Sequence, residues 1–144
     1  MRLVCSAALA ILSFIASAPA PASEVSPIDN WRDLRAAFAS CWRPPEGTAG
    51  SMITIQFPIA RDGGFRASPR VIGSKLVGAP DTRDAYRRAA LDALERCMPL
   101  QLTPGFRAVV MSDAPIRVRF ANTRPEPALQ DGPWMTIFAD TVQP

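Results

Sequence analysis

The 144-residue chain has no histidine and a single lysine, Lys75. Without histidine, neither a Ser-His-Asp triad nor a Cys-His pair can be built. The few thiolates also cannot supply the four ligands of an ordinary zinc site without histidine. Among the 13 acidic residues no paired-carboxylate motif stands out. We therefore expect a protein that is not an enzyme and that uses no metal or other cofactor, with a carboxylate-only mechanism as the remaining catalytic alternative.

Clustered charge is also lacking. The chain carries 16 Lys and Arg residues against 13 Asp and Glu residues, a formal net charge of +3, and has no run of five like charges. Nucleic-acid interfaces and polybasic membrane arms need basic residues in clusters. We therefore expect no nucleic-acid partner.

The N-terminal segment has the layout of a secretory signal peptide. Arg2 precedes an apolar run from Leu3 to Ile15, which is shorter than the roughly 20 residues of a membrane-spanning helix. Ala20-Pro21-Ala22 then offers a cleavage site. We predict a signal peptide at residues 1–22 and an exported protein with no membrane span after cleavage. A short uncleaved anchor is the alternative.

Two cysteines follow this segment, Cys41 and Cys97. An even pair in an exported protein indicates a disulfide. Closing so long a loop would stabilise the fold by about 4 kcal/mol. The alternative is a redox pair, but the chain has no C-x-x-C motif and no histidine that would lower a thiol pKa. We expect a structural disulfide.

Two segments have the apolar spacing of helices. The first begins either at Ser26-Pro27 or at Asn30, ends before the double proline that follows Arg43, and has four residues on one face: Trp31, Leu34, Phe38 and Cys41. The second is predicted at Thr82–Met98 with Asp81 as its cap, and Pro99 and Pro104 stop it. Its buried side would carry Tyr86, Ala90, Ala93, Leu94 and Cys97.

Three segments indicate strands. Apolar residues alternate with polar ones from Ile53 to Ile59, and Asp62-Gly63-Gly64 then offers a hairpin turn. The second strand would return through "FRASPRVIGS", where Pro69 indicates an edge position or a bulge. The third is "IRVRF". The order helix, strand, strand, helix, strand predicts an α+β domain at residues 23–121, with two helices on one face of a three-stranded antiparallel sheet.

Four segments in this order carry a family resemblance: "CWRPPEG", "ITIQFPIARDGGFRASPRVI", "AYRRAALDALERCMPLQL" and "IRVRF". They resemble the C-terminal domain of the TolA/TonB superfamily, and TolA more closely, over about residues 28–121. The resemblance implies a periplasmic binding domain of an envelope-spanning system in a Gram-negative bacterium, with a disulfide between Cys41 and Cys97. It also implies that a periplasmic or outer-membrane protein segment binds by strand addition to a sheet edge.

Members of that superfamily have an inner-membrane anchor and a long spacer before this domain. Here only a few residues separate the predicted signal peptide from the first helix. A domain without anchor and spacer cannot transmit force across the periplasm. We therefore expect passive binding and not energy transduction.

The predicted partner-binding residues are those of the third strand: Ile116, Arg117, Val118, Arg119 and Phe120. Its two arginines would grip acidic side chains beside an added strand, or they would only solvate an exposed strand face. Residues 122–144 form a proline-punctuated tail, in which Trp134, Ile137 and Phe138 either dock on the body or contact a partner. A tail that covers the third strand would favour the alternative function, a structural envelope protein with no defined peptide site. The oligomeric state is open.

Overall fold

The computed structural model describes residues 26–112, 115–126 and 132–144, so the predicted signal peptide, residues 1–22, lies outside the described residues. The strands of these ranges form one sheet with the spatial order β2-β1-β3-β4. In chain order the elements are α1 (Trp31–Cys41), β1 (Met52–Phe57), β2 (Arg70–Lys75), α2 (Pro80–Cys97), α3 (Pro104–Ser112), β3 (Ile116–Ala121) and β4 (Trp134–Phe138).

The predicted three-stranded antiparallel sheet with two helices is wrong. Within the described ranges the sheet has four strands and there are three helices. The sheet is mixed, because β4 runs parallel to β3 whereas β1 is antiparallel to both β2 and β3. A parallel neighbour needs a connection of about a dozen residues, and residues 122–133 separate β3 from β4 in the chain.

Helix α1 begins at the second of its two predicted starts. The side chain of Asn30 accepts a hydrogen bond from the backbone N–H of Asp33 at 3.0 Å, which satisfies a donor of the first turn. The helix ends at Cys41, three residues before Pro44, and buries Leu34 and Phe38. Its apolar face therefore points at the sheet, where Phe38 meets Phe57 edge-on with ring centroids 6.0 Å apart.

Strand β1 lies between β2 and β3, and alternate residues of β1 face the helices. Ile53, Ile55 and Phe57 are fully buried, as the alternation of the sequence predicts. On the neighbouring strand Val118 and Phe120 are also fully buried, opposite Ile55 and Ile53. The helices therefore cover one face of the sheet. The other face carries Thr54, Gln56, Arg117 and Arg119, and we call it the open face.

Helix α2 begins at Pro80, two residues before its predicted start, since proline fits the first turn of a helix. Tyr86 is fully buried beneath it. Its hydroxyl lies 2.9 Å from the carbonyl oxygen of Ser51 and 3.1 Å from that of Phe120. Burial raises the pKa of the Tyr86 phenol. Helix α2 is thus fixed to the sheet by a polar contact as well as by its apolar face.

The predicted disulfide is confirmed. Cys41 at the end of α1 is bonded to Cys97 at the end of α2, with their Cα atoms 6.0 Å apart. The bond joins the two helices at their C-terminal ends, where the prolines that follow turn the chain away from each helix.

Helix α3 was not predicted from the sequence. Pro104 was expected only to stop α2, but it is the first residue of α3, where its missing N–H is not needed. The side chain of Thr103 accepts a hydrogen bond from the N–H of Phe106 at 3.3 Å. Phe106 then packs edge-on against Trp31, with ring centroids 5.1 Å apart. Helix α3 therefore closes the core beside α1.

The predicted turn at Asp62-Gly63-Gly64 is present and is tied to the rest of the molecule. The carbonyl oxygen of Gly63 accepts a hydrogen bond from the N–H of Leu100 at 2.9 Å. Gly63 has a φ of 86°, which favours glycine. A Cβ atom at this position would collide with the backbone oxygen of Leu100. The glycine is thus required by both its conformation and its neighbour.

None of the described helices has the length and apolar character that a membrane span requires.

Candidate functional site: the edge and open face of the sheet

Strand β3, the predicted docking strand, is an inner strand of the sheet. Its residues pair with β1 on one side and with β4 on the other, so Phe120 lies between Ile53 and Ile137. Ile116, Val118 and Phe120 are buried in the core. Both hydrogen-bonding edges of β3 are therefore occupied, and another strand would have to displace β4 to pair with it.

The two arginines of β3 lie on the open face of the sheet. The Nε of Arg117 donates to Oε1 of Gln56 at 2.9 Å, and the Nε of Arg119 donates to Oγ1 of Thr54 at 3.3 Å. The guanidinium of Arg117 also lies 4.4 Å from the centre of the Trp134 ring, a cation–π contact. These contacts are with neutral groups, so they hold the arginines in place without neutralising them.

The described part of the tail docks on the body. Met135 and Ile137 of β4 are buried in the core, whereas Trp134 keeps 52% of its surface exposed on the open face. Beyond β4, the N–H of Ala139 donates to the carbonyl oxygen of Ala121 at 3.1 Å. The carbonyl oxygen of Pro144 accepts a hydrogen bond from the N–H of Gly47 at 2.5 Å. Ile137 thus docks on the body, which is one of the two roles that the sequence predicts for the tail.

Strand β2 has a free outer edge among the described residues, because β1 is its only neighbour there. All six of its residues are exposed. Val71 and Ile72 keep 41% and 45% of their surface exposed, although both are large apolar residues. The register skips Ile72 opposite the step from Thr54 to Ile55, which is a β-bulge. Pro69, just before the strand, was the sequence signal for an edge position.

A shallow hollow lies on the open face next to this edge. Its volume is about 190 Å³, and it is lined by Met52, Thr54, Gly73, Ser74, Lys75 and Arg119. Gly73 leaves it open, since no atom lies within 4 Å of the position that its Cβ would occupy. The lining includes two cations and no carboxylate. A small anionic group therefore fits its size and charge.

On the helix side, the same edge borders a groove of about 310 Å³ between β2 and α2. Arg87 and Asp84 form an exposed ion pair there, with Nη1 and Oδ1 3.1 Å apart. Such a pair contributes little to stability. The edge of β2 is thus accessible from both faces of the sheet.

The described residues contain no group of three or more His, Cys, Asp or Glu side chains placed to hold a metal ion.

A family model described as "Uncharacterised conserved protein UCP034077" matches residues 24–124. The chain belongs to this family. The match spans α1 to β3 and stops before β4. No similar protein was found among curated proteins or solved structures.

Proposed function

We propose that this protein is a non-catalytic interaction module of the periplasm that binds a segment of a partner protein by strand addition at the outer edge of β2. The observation that carries the proposal is the exposed β2 edge with its apolar side chains, Val71 and Ile72. Unpaired strand edges are templates for pairing with another chain. The mode of binding is strand addition, as the resemblance implies, but the strand that receives the segment is β2 instead of β3.

The edge of β2 suits an added strand better than that of β4, the other outer strand. Met135 and Ile137 of β4 belong to the core, and α1 packs against this strand. Strand β2 has no buried residue. An added peptide would cover the exposed surface of Val71 and Ile72 without displacing any element of the fold, and burying apolar surface favours association.

The cell compartment and the type of partner rest on the sequence. The signal-peptide layout and the disulfide favour an exported protein, and the resemblance to TolA favours the periplasm of a Gram-negative bacterium. The TolA-like segments favour a partner from the cell envelope. The edge of β2 supports this proposal because it offers backbone groups for the strand addition that the resemblance implies.

A structural envelope protein without a peptide site is the second candidate. The pairing of β4 with β3 favours it, because the chain covers the edge that the resemblance implied. The two candidates differ at β2: a peptide-binding module uses this edge, and the structural protein does not.

The test is an amide NMR titration of the purified, oxidised protein with extended peptides from periplasmic segments of Tol-system proteins. We expect shifts concentrated on Arg70–Lys75, and loss of binding when Val71 and Ile72 are replaced by lysine, because edge lysines oppose strand pairing. The control is Val109→Lys, which changes an equally exposed valine on α3. Shifts on β3 and β4 with β2 unaffected would contradict the proposal, and so would the absence of any shift. Shifts of β2 that depend only on protein concentration would mean that the edge pairs with a second copy.

A further inference from the structure

We infer that the segment added at β2 carries an acidic side chain next to Gly73, and that the hollow between Lys75 and Arg119 receives its carboxylate. This inference rests on the proposed function, since it names the chemistry of the bound strand. Strand addition at the edge of β2 does not by itself involve the hollow on the open face.

The geometry follows from the register of β2. Arg70, Gly73 and Lys75 pair with Gln56, Thr54 and Met52, whose side chains lie on the open face. A strand added outside β2 would lie about 4.8 Å from it, with alternate side chains on the same open face. The side chain beside Gly73 would meet no side chain of β2 at that position. A glutamate there would extend across the glycine into the hollow.

The charge of the hollow favours a carboxylate. Lys75 comes from β2 and Arg119 from β3, and no described carboxylate forms an ion pair with either side chain. Arg119 uses its Nε to bond Thr54, which fixes the side chain and leaves its terminal nitrogens to donate to a ligand. Arg119 is thus positioned by Thr54, and neither Lys75 nor Arg119 is neutralised by the described residues.

The same features argue against nucleic acid as the occupant. Single-stranded nucleic acid binds to sheets on which successive bases stack on aromatic side chains. Among the described residues of this face the exposed large aromatic side chain is that of Trp134, and Arg117 already lies over its ring. A peptide strand instead uses the free backbone edge of β2 as well as the hollow.

The opposite side of the added strand would be apolar. Val71 pairs with Ile55, which faces the helices, so the exposed surface of Val71 lies on that side of β2. We therefore expect a segment that alternates apolar residues with polar ones and has one acidic residue among the polar ones.

The test uses two heptapeptides, acetyl-Val-Thr-Val-Glu-Val-Thr-Val-amide and the same peptide with Gln in place of Glu, so that Glu and the valines lie on opposite faces of the added strand. Their Kd values for the full oxidised protein are measured by amide NMR at low and high salt. We expect the Glu peptide to bind three- to tenfold more tightly at low salt, and the difference to shrink at high salt, because an exposed ion pair is screened. Shifts should include the amides of Gly73, Lys75 and Arg119.

Protein variants locate the effect. Lys75→Gln and Arg119→Gln should each reduce the preference for Glu, whereas Arg88→Gln, which removes an exposed arginine on α2, should leave it unchanged. Gly73→Thr should fold, since its Cβ meets no atom within 4 Å. It should fill the hollow, so that both peptides bind equally.

The outcomes separate the inference from the proposed function. Equal binding of the two peptides at the β2 edge would overturn the acidic preference and leave strand addition standing. Absence of binding at β2 by either peptide would overturn both. A short oligothymidylate that shifts Lys75 and Arg119 more strongly than either peptide would overturn the inference in favour of nucleic acid.

Discussion

Asn122 holds both backbone groups of Gln143. Its Nδ2 donates to the carbonyl oxygen of Gln143 at 3.0 Å, and its Oδ1 accepts from the N–H of Gln143 at 2.9 Å. The same Nδ2 donates to Oγ1 of Thr48 at 2.9 Å, and Asn122 is fully buried. One side chain thus joins the segment after β4 to the end of β3.

Replacing Asn122 by alanine should destabilise the protein by about 2–3 kcal/mol, because it leaves buried donors and acceptors without partners. Urea unfolding measures the change. The matched control is Gln143→Ala, which should have almost no effect, since Gln143 bonds Asn122 through its backbone. Equal effects of the two substitutions would contradict a role for Asn122 in holding this segment.

The Tyr86 phenol should make the protein sensitive to alkali. Because burial raises its pKa in the folded state, the unfolded chain loses the proton first as the pH rises. The stability that the neutral phenol contributes is fully present below the unfolded pKa of about 10 and is lost as the pH rises above it. Urea unfolding at about pH 9 and pH 11 should show this loss.

Tyr86→Phe is the variant that assigns this effect. It should be less stable than the original protein by about 1–2 kcal/mol at neutral pH, since the strand carbonyls lose a buried donor. Its stability should decline less between the two alkaline pH values. Tyr86 is the single tyrosine of the chain, so no other phenol can produce the difference. An unchanged decline in the variant would contradict this account.

Removing the disulfide should lower stability substantially. Cys41 and Cys97 are 56 residues apart in the chain, and a loop of this size corresponds to about 4 kcal/mol in the chain-entropy model. The double replacement by serine, compared with the oxidised protein by urea unfolding, measures the loss. Ser40→Ala changes an exposed neighbour of the disulfide and should have little effect. A double variant as stable as the control would show that helix packing alone holds α1 and α2 together.

Gly63→Ala should destabilise the protein by about 2–4 kcal/mol, because an added Cβ strains the backbone and collides with Leu100. Gly105→Ala is the control: it lies in α3, where a Cβ meets no atom within 4 Å. Alanine there should stabilise the helix by about 0.5–1 kcal/mol. Thermal unfolding of both variants checks the contrast, and similar effects would mean that the turn adjusts to the added methyl group.

The elements whose apolar residues recur at the spacing of a helix or a strand were predictable from the sequence. Those that depend on tertiary contacts were not. Strand β1 alternates apolar and polar residues from Ile53 to Phe57, and α1 has its apolar residues on one face, so local pattern determined both. Helix α3 has only nine residues and begins at a proline. Short helices depend on packing for their stability. The contact between Phe106 and Trp31 is not visible in the sequence.

Strand β4 shows the same limit for the candidate site. Its apolar residues predicted a docked segment or a partner contact, but no local pattern says that a strand will pair in parallel with β3. That pairing decides which edge is free. The sequence therefore identified Arg117 and Arg119 as exposed on one face of a strand, and only the strand order shows that the free edge belongs to β2.

The crossover between β3 and β4 also affects how the protein is made. Strand β3 precedes β4 in the chain, so in an exported protein it emerges from the membrane first, and residues 122–133 must follow before β4 can pair. During that interval the outer edge of β3 has no partner, and such edges pair readily with other chains. The yield of soluble protein should therefore depend on how soon β4 follows β3.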